Sequence, residues 1–179
     1  MMVQRKNMIL FVVIVMLLTG CTGDGYRQGT INGRNWENDW LGLGYQIPED
    51  MELVEPGTLE LESGMMEASY ELVASSDTEA VIVKTEAKGK LTDKEYLKIT
   101  AEQLEEQSEG GCEAANIEEY EVAGLEFHGM VIELTQDGSG DKIYQRYLTL
   151  VKDDRRVDIL LSALGQEELE ILTEHFYSL

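Results

Sequence analysis

Residues 119–162 read EYEVAGLEFHGMVIELTQDGSGDKIYQRYLTLVKDDRRVDILLS, and this stretch decides the fold. Met130, Ile132 and Leu134 alternate with Val131, Glu133 and Thr135; Val157, Ile159 and Leu161 alternate in the same way. A period of two puts successive side chains on opposite faces of a strand. Ala123-Gly124, Asp137-Gly138-Ser139-Gly140 and Asp153-Asp154 divide the run. Gly and Asp tolerate the backbone angles that tight hairpin turns need. The spacing predicts four strands, 119–122, 125–135, 143–151 and 156–162. Short hairpin connections make them antiparallel.

Upstream, 70–74 and 80–87 predict another hairpin across Ser75-Ser76-Asp77, with Val81, Val83 and Thr85 on one face and Ile82, Lys84 and Glu86 on the other. A helix is expected over 93–108. Thr92 is a good N-cap and Glu95 follows three residues later, the pattern of a capping box. Leu97, Ala101 and Leu104 form its apolar stripe, and Gly110-Gly111 ends it. Residues 35–48, NWENDWLGLGYQIP, predict two short strands around Asn38-Asp39, with Pro48 closing the second. Residues 52–66 leave room for a short helix. A last helix is expected over 166–177, with Leu169, Leu172, Thr173, Phe176 and Leu179 as its stripe. The expected fold class is α+β: a single antiparallel β-sheet meander with helices packed on it.

The N-terminus has a different grammar. Arg5 and Lys6 precede an unbroken apolar run over 8–18. A stable membrane-crossing helix needs about 20 residues, so the run is too short to span and fits the core of a secretory signal. Leu18-Thr19-Gly20-Cys21 follows. Small residues let a chain lie extended in a peptidase groove, and the cysteine supplies a thiol that can be acylated. This stretch resembles the lipobox of bacterial lipoproteins, in which a diacylglyceryl group is attached to the cysteine and cleavage occurs just before it. The resemblance implies a signal peptide over 1–20, a lipidated tether over 21–30 and a domain over 31–179. It also implies residence at the cell membrane, on the extracytoplasmic face, lipid-anchored through Cys21. Two acyl chains anchor stably where one does not. A free tether of nine residues reaches roughly 15–18 Å.

Without residues 1–20 the chain has 159 residues, the length of one domain. The whole chain carries a net charge of −21, and setting aside Arg5 and Lys6 leaves −23. Such a surface repels phosphate, so nucleic acid is not a partner. Anionic lipid is expected to repel the domain too, and the acidity keeps an exported protein soluble. With Cys21 acylated, only Cys112 remains, so no intramolecular disulfide can form. Glu113 beside it raises the thiol's pKa and makes it inert.

Within 36–48, an aromatic-x-Asn pattern precedes Gly-Leu-Gly-Tyr-x-Ile-Pro. This resembles the opening of PsbP-like domains. The remaining order (helix, hairpin at Val122-Ala123-Gly124-Leu125-Glu126-Phe127, long hairpin, final helix) resembles them over most of 30–179. The resemblance implies a PsbP-like α/β/α sandwich. The chain is also similar to small lipoproteins of gut Firmicutes built on that plan. It implies binding and accessory roles more than catalysis.

The residues that could carry chemistry are few. His128 and His175 cannot make a zinc site alone. Ser139 lacks the Gly-x-Ser-x-Gly elbow. Asp137, Ser139 and Asp141 copy the start of a calcium loop, but its twelfth position is Leu148 instead of Glu. Trp36 and Trp40 suit either a core contact or an aromatic clamp. Tyr144, Arg146 and Tyr147 could form a binding surface, although Arg146 also suits a cross-strand ion pair. No catalytic, cofactor or metal set is expected. The expected function is a non-catalytic protein-binding or accessory module of the cell envelope, partnered with an unidentified envelope protein. The alternative is a small-ligand or cation-binding lipoprotein associated with a transporter.

Overall fold

The structure, a computed structural model, describes residues 25–54, 69–108, 112–135 and 141–179. The lipobox with Cys21, residues 55–66 of the ambiguous stretch, Gly110-Gly111 and the turn at 137–140 lie outside the described residues. The N-terminal part forms β1 (Thr30–Asn32), β2 (Asn35–Asn38), β3 (Leu43–Gln46) and β4 (Glu52–Leu53). β5 (Ser69–Ser75) and β6 (Ala80–Ala87) follow, then helix α1 (Asp93–Gln107). β7 (Cys112–Ala114), β8 (Glu118–Val122), β9 (Leu125–Thr135), β10 (Lys142–Lys152) and β11 (Arg155–Ala163) lead to helix α2 (Gln166–Glu174) and β12 (Phe176–Ser178).

The expected α+β class, a single antiparallel meander with helices packed on it as an α/β/α sandwich, is overturned: the described residues are mostly strand, with two helices. The strands form two antiparallel sheets: four strands in the order β1-β2-β3-β12, and eight running β4-β5-β6-β11-β10-β9-β7, with β8 also on β9. The reason lies in pairing. β3 bonds β2 on one side and the last strand on the other, with Phe176 opposite Tyr45. Nothing in β2 or β3 is left to join the meander edge. The small sheet lies face to face on the large one, where a helix layer was expected. Trp36, Leu43 and Tyr45 of the small sheet share a core with Leu72, Val81, Val83, Ile159 and Leu161 of the large sheet and with Leu169 and Leu172 of α2. On the other face, Leu97 and Leu104 of α1 meet Ile82, Met130, Ile132, Tyr147 and Leu160. The layers are α1, the large sheet, and the small sheet with α2. β6 and β11 lie in the middle and are buried on both faces.

The helix expected over 93–108 forms as α1. Thr92 caps α1 and both halves of the capping box form. The last helix stops at Glu174 instead of 177, because Phe176 leaves the helical stripe to pair with β3.

Candidate functional site

The chain enters the fold through a strap, residues 26–29, bolted across the large sheet. The bolt is Glu71. A bulge falls between Tyr70 and Leu72, so these two residues, two apart, enter opposite cores. The extra residue is Glu71, and a bulge re-aims the side chain it inserts. Its carboxylate is only 4% exposed. One oxygen accepts from the Thr85 hydroxyl at 2.6 Å and from the Tyr26 hydroxyl. The other accepts from Asn38 Nδ2 at 2.7 Å and the Gly29 amide at 2.9 Å. Four donors fill the four acceptor positions of a carboxylate. Asn38 in turn holds the β2–β3 connection, its Oδ1 accepting from the Leu41 amide at 2.9 Å. A Cβ at Gly29 would collide with the Trp36 indole, so glycine lets the strap lie that close.

The outer side of the strap is covered by aromatic and cationic groups. The Tyr26 ring meets Trp40 edge-on, centroids 5.3 Å apart, and the Arg155 guanidinium lies 3.7 Å from the Tyr26 centroid. Lys152 Nζ donates to the carbonyls of Trp40, at 2.7 Å, and Leu41, at 3.2 Å. Burial pushes the Tyr26 phenol pKa up, with Glu71 adding to the rise. Tyr26 and Gly29 therefore belong to the domain, and only residues 22–25 separate Cys21 from the first docked side chain.

A second polar set lies under α1. Lys84 and Glu86 of β6 and Arg156 and Asp158 of β11 are two cations and two carboxylates on one face. Lys84 Nζ lies 2.6 Å from Glu86, which also pairs with Arg156. Arg156 Nε is 3.5 Å from Asp158. Thr149 donates to Asp158 at 2.8 Å and Tyr96 of α1 at 3.4 Å, and the Arg156 guanidinium lies 3.4 Å from the Tyr96 centroid. The adjoining cavity, lined by Tyr70, Ile82, Lys84, Tyr96, Tyr147 and Asp158 among others, is about 20 Å³. That is room for roughly one water. The set fastens α1 to the sheet and offers a substrate no space.

Burial lowers the Lys84 pKa from 10.5 to about 8, against the pull of Asp158. Between pH 8 and 10 the unfolded chain then binds more protons than the folded one, so this lysine makes stability rise with pH. Below pH 8 its contribution is flat. Urea unfolding of the wild type and of Lys84→Met between pH 7 and 10 reads this directly. The difference should grow by up to about 1.4 kcal/mol per pH unit above pH 8; parallel curves would reject it.

The residues singled out from sequence fall in separate places. Trp36 is fully buried, while Trp40 is partly exposed beside the strap, so they form no joint clamp. Arg146 is buried and bonds Glu170 and Thr173 of α2, with its guanidinium 5.1 Å from the Tyr120 centroid. It ties α2 to the sheet. Tyr144 is half-buried beside Glu133, and Tyr147 sits in the α1 core. Cys112 is half-buried, and burial pushes its thiol pKa up, with Glu105 adding to the rise. His128 Nδ1 lies 3.5 Å from Asp93 at the start of α1. His175 follows α2, its carbonyl accepting from the Gln46 amide. Among the described residues no group of three or more His, Cys, Asp or Glu is placed to hold a metal ion. Glu71, Tyr26 and Asp158 went unnoticed in the sequence. A carboxylate inside an alternating strand reads as solvent-facing, and only the bulge turns Glu71 inward.

No protein-family model matches the chain, and no curated protein matches it. Solved structures do. Cyanobacterial PsbP (CyanoP) from Synechocystis is similar at 13% identity with a TM-score of 0.52, over 90% of this chain and 99% of that one. LpqN of Mycobacterium tuberculosis, involved in cell envelope biogenesis, is similar at 10% identity with a TM-score of 0.48, over 75% of this chain and 82% of that one. At these identities a likeness concerns fold alone, and the second carries no argument. The fold is PsbP-like, as the resemblance at 36–48 implied, with the small sheet as a layer of its own.

Proposed function

We propose that the chain is an extracytoplasmic lipoprotein, held at the cell membrane by a diacylglyceryl group on Cys21, whose domain binds another envelope protein and catalyses nothing. The observation that carries this reading is the place of Cys21. It ends a basic, apolar and small-residue sequence of export type, and it stands five residues before a tyrosine bolted to the sheet. The fold supports a binding role only by analogy, since fold does not dictate function. Detergent-phase partition and intact mass of wild type and Cys21→Ala test the anchor. The wild type should enter the detergent phase and carry the lipid mass. Cys21→Ala should stay aqueous. A variant that still partitions at full-length mass refutes the anchor. Crosslinking in live cells should recover one reproducible envelope protein, and a blank under several chemistries would count against the binding role.

A further inference from the structure

The strap crosses the large sheet at Thr85 and Arg155. The other end of the sandwich, where β6 begins and β11 finishes, is closed by two turns. One leads from β3 through Pro48 to β4. The other joins β5 to β6, and there Ser76 Oγ accepts from the amides of Thr78, at 3.3 Å, and Glu79, at 3.1 Å. Between the turns lies a cleft of about 470 Å³, lined by Asp50, Glu52, Leu53, Ser75, Asp77 and Thr78 among others. A cleft of that volume takes a small ligand or an inserted side chain. Asp50, Glu52 and Asp77 are exposed, and Glu79 is half-buried beside them. Burial, then Asp50 and Glu168, push the Glu79 pKa up, while His175 pulls it down. The cations at this end are already spent. Arg34 donates to the carbonyls of Ile47, Pro48 and Met51, and Lys142 pairs with Glu133 at 2.6 Å. Tyr45 supplies an independent sign. It is fully buried, and its hydroxyl has no hydrogen-bond partner among the described residues. Its ring stands against Phe176, centroids 4.5 Å apart, and His175, 5.9 Å apart. The charges of Glu79 and Asp50 act on its oxygen and add to the rise that burial gives its pKa. A buried hydroxyl left unpaired is costly, and this one is directed at the carboxylates.

We propose that this end of the sandwich docks a basic segment of the partner protein, with the ammonium group of a lysine held by Asp50 and Glu79 over the Tyr45 hydroxyl. The inference rests on the binding role proposed above and names the chemistry of that partner. Among the described residues the carboxylates are not placed to close on a metal ion. An ammonium group carries its N–H donors on a long flexible stem and reaches carboxylates that stand further apart. Its charge relieves the repulsion between Glu79, Asp50 and Glu168. Its hydrogens offer the orphaned Tyr45 oxygen a partner. The aliphatic stem of a lysine covers apolar surface, and Leu53, 47% exposed on the cleft wall, provides it. The cleft also lies away from the strap through which the chain arrives from Cys21, so a neighbouring protein can reach it.

The test titrates the full-length chain, in uncharged detergent micelles, with a capped Ala-Lys-Ala-Lys-Ala peptide and follows the heat. The peptide should bind, and the same peptide with its lysines acetylated should not. Asp50→Asn plus Glu79→Gln should weaken binding by about tenfold, since an ion pair at such sites contributes up to about fivefold. That variant should melt no lower than the wild type, because it removes repulsion, so lost binding is not lost fold. Tyr45→Phe should also bind more weakly at an unchanged melting temperature. Equal binding of the acetylated peptide, or undiminished binding by either variant, overturns the site. Spermidine or calcium binding more tightly than the peptide gives the cleft to a free cation and overturns the docking. Crosslinking in live cells separates the site from the binding role. A partner still recovered with Asp50→Asn plus Glu79→Gln overturns the site and keeps the role, whereas a blank with the wild type removes both.

Discussion

Glu71→Ala lowers the unfolding free energy by about 3–5 kcal/mol, the range for breaking a buried charged network by removing one partner. The substitution leaves Thr85, Asn38, Tyr26 and the Gly29 amide without their acceptor. A hydrogen bond to a charged group contributes about 1.5–3 kcal/mol. The strap has an escape: it can lift, letting Tyr26 and Gly29 find water. Asn38 and Thr85 cannot follow, because both sit in the core. The expected result has two parts. The melting temperature falls by on the order of 6–20 °C for a domain of this size. Limited trypsin also begins to cut after Arg27 under conditions where the wild type resists. A loss below about 1 kcal/mol with unchanged proteolysis would show that Glu71 does not bolt the strap.

Asp158→Leu should cost about the same, 3–5 kcal/mol, for a different reason. Lys84, Glu86, Arg156 and Asp158 balance to zero charge. Burial pushes the Asp158 pKa up, Arg156 and Lys84 pull it down, and Thr149 and Tyr96 donate to it. Deleting Asp158 alone strands one positive charge under α1. Adding Arg156→Leu restores neutrality, since Lys84 and Glu86 still pair at 2.6 Å. Denaturant unfolding of the two singles and the double closes the cycle. The double should be more stable than the sum of the singles predicts, by more than about 1 kcal/mol. Additive losses would mean that packing, not charge balance, holds the set.

The meander was legible because its signals are local. Alternation over 125–135 and 156–162, and the Thr92/Glu95 capping box, need only neighbours in sequence. The small sheet was not legible. Trp36, Leu43 and Tyr45 alternate as any half-buried strand does, and alternation does not say which sheet a strand joins. Phe176 fits both the helical stripe of α2 and a strand opposite Tyr45, and tertiary pairing decides between them. The strap was hidden for the same reason. Residues 22–30 have the composition of a tether, but a bulge 42 residues downstream of Gly29 supplies its acceptor.

The pairing of β3 with β12 also sets an order in time. Tyr45 must wait for Phe176, more than 130 residues later, before the small sheet can close. Contacts that distant slow folding toward the millisecond-to-second range. Without β12 the β2–β3 hairpin has one open edge, along β3. The small sheet therefore closes only once residues 176–178 are in place, whatever has already formed upstream.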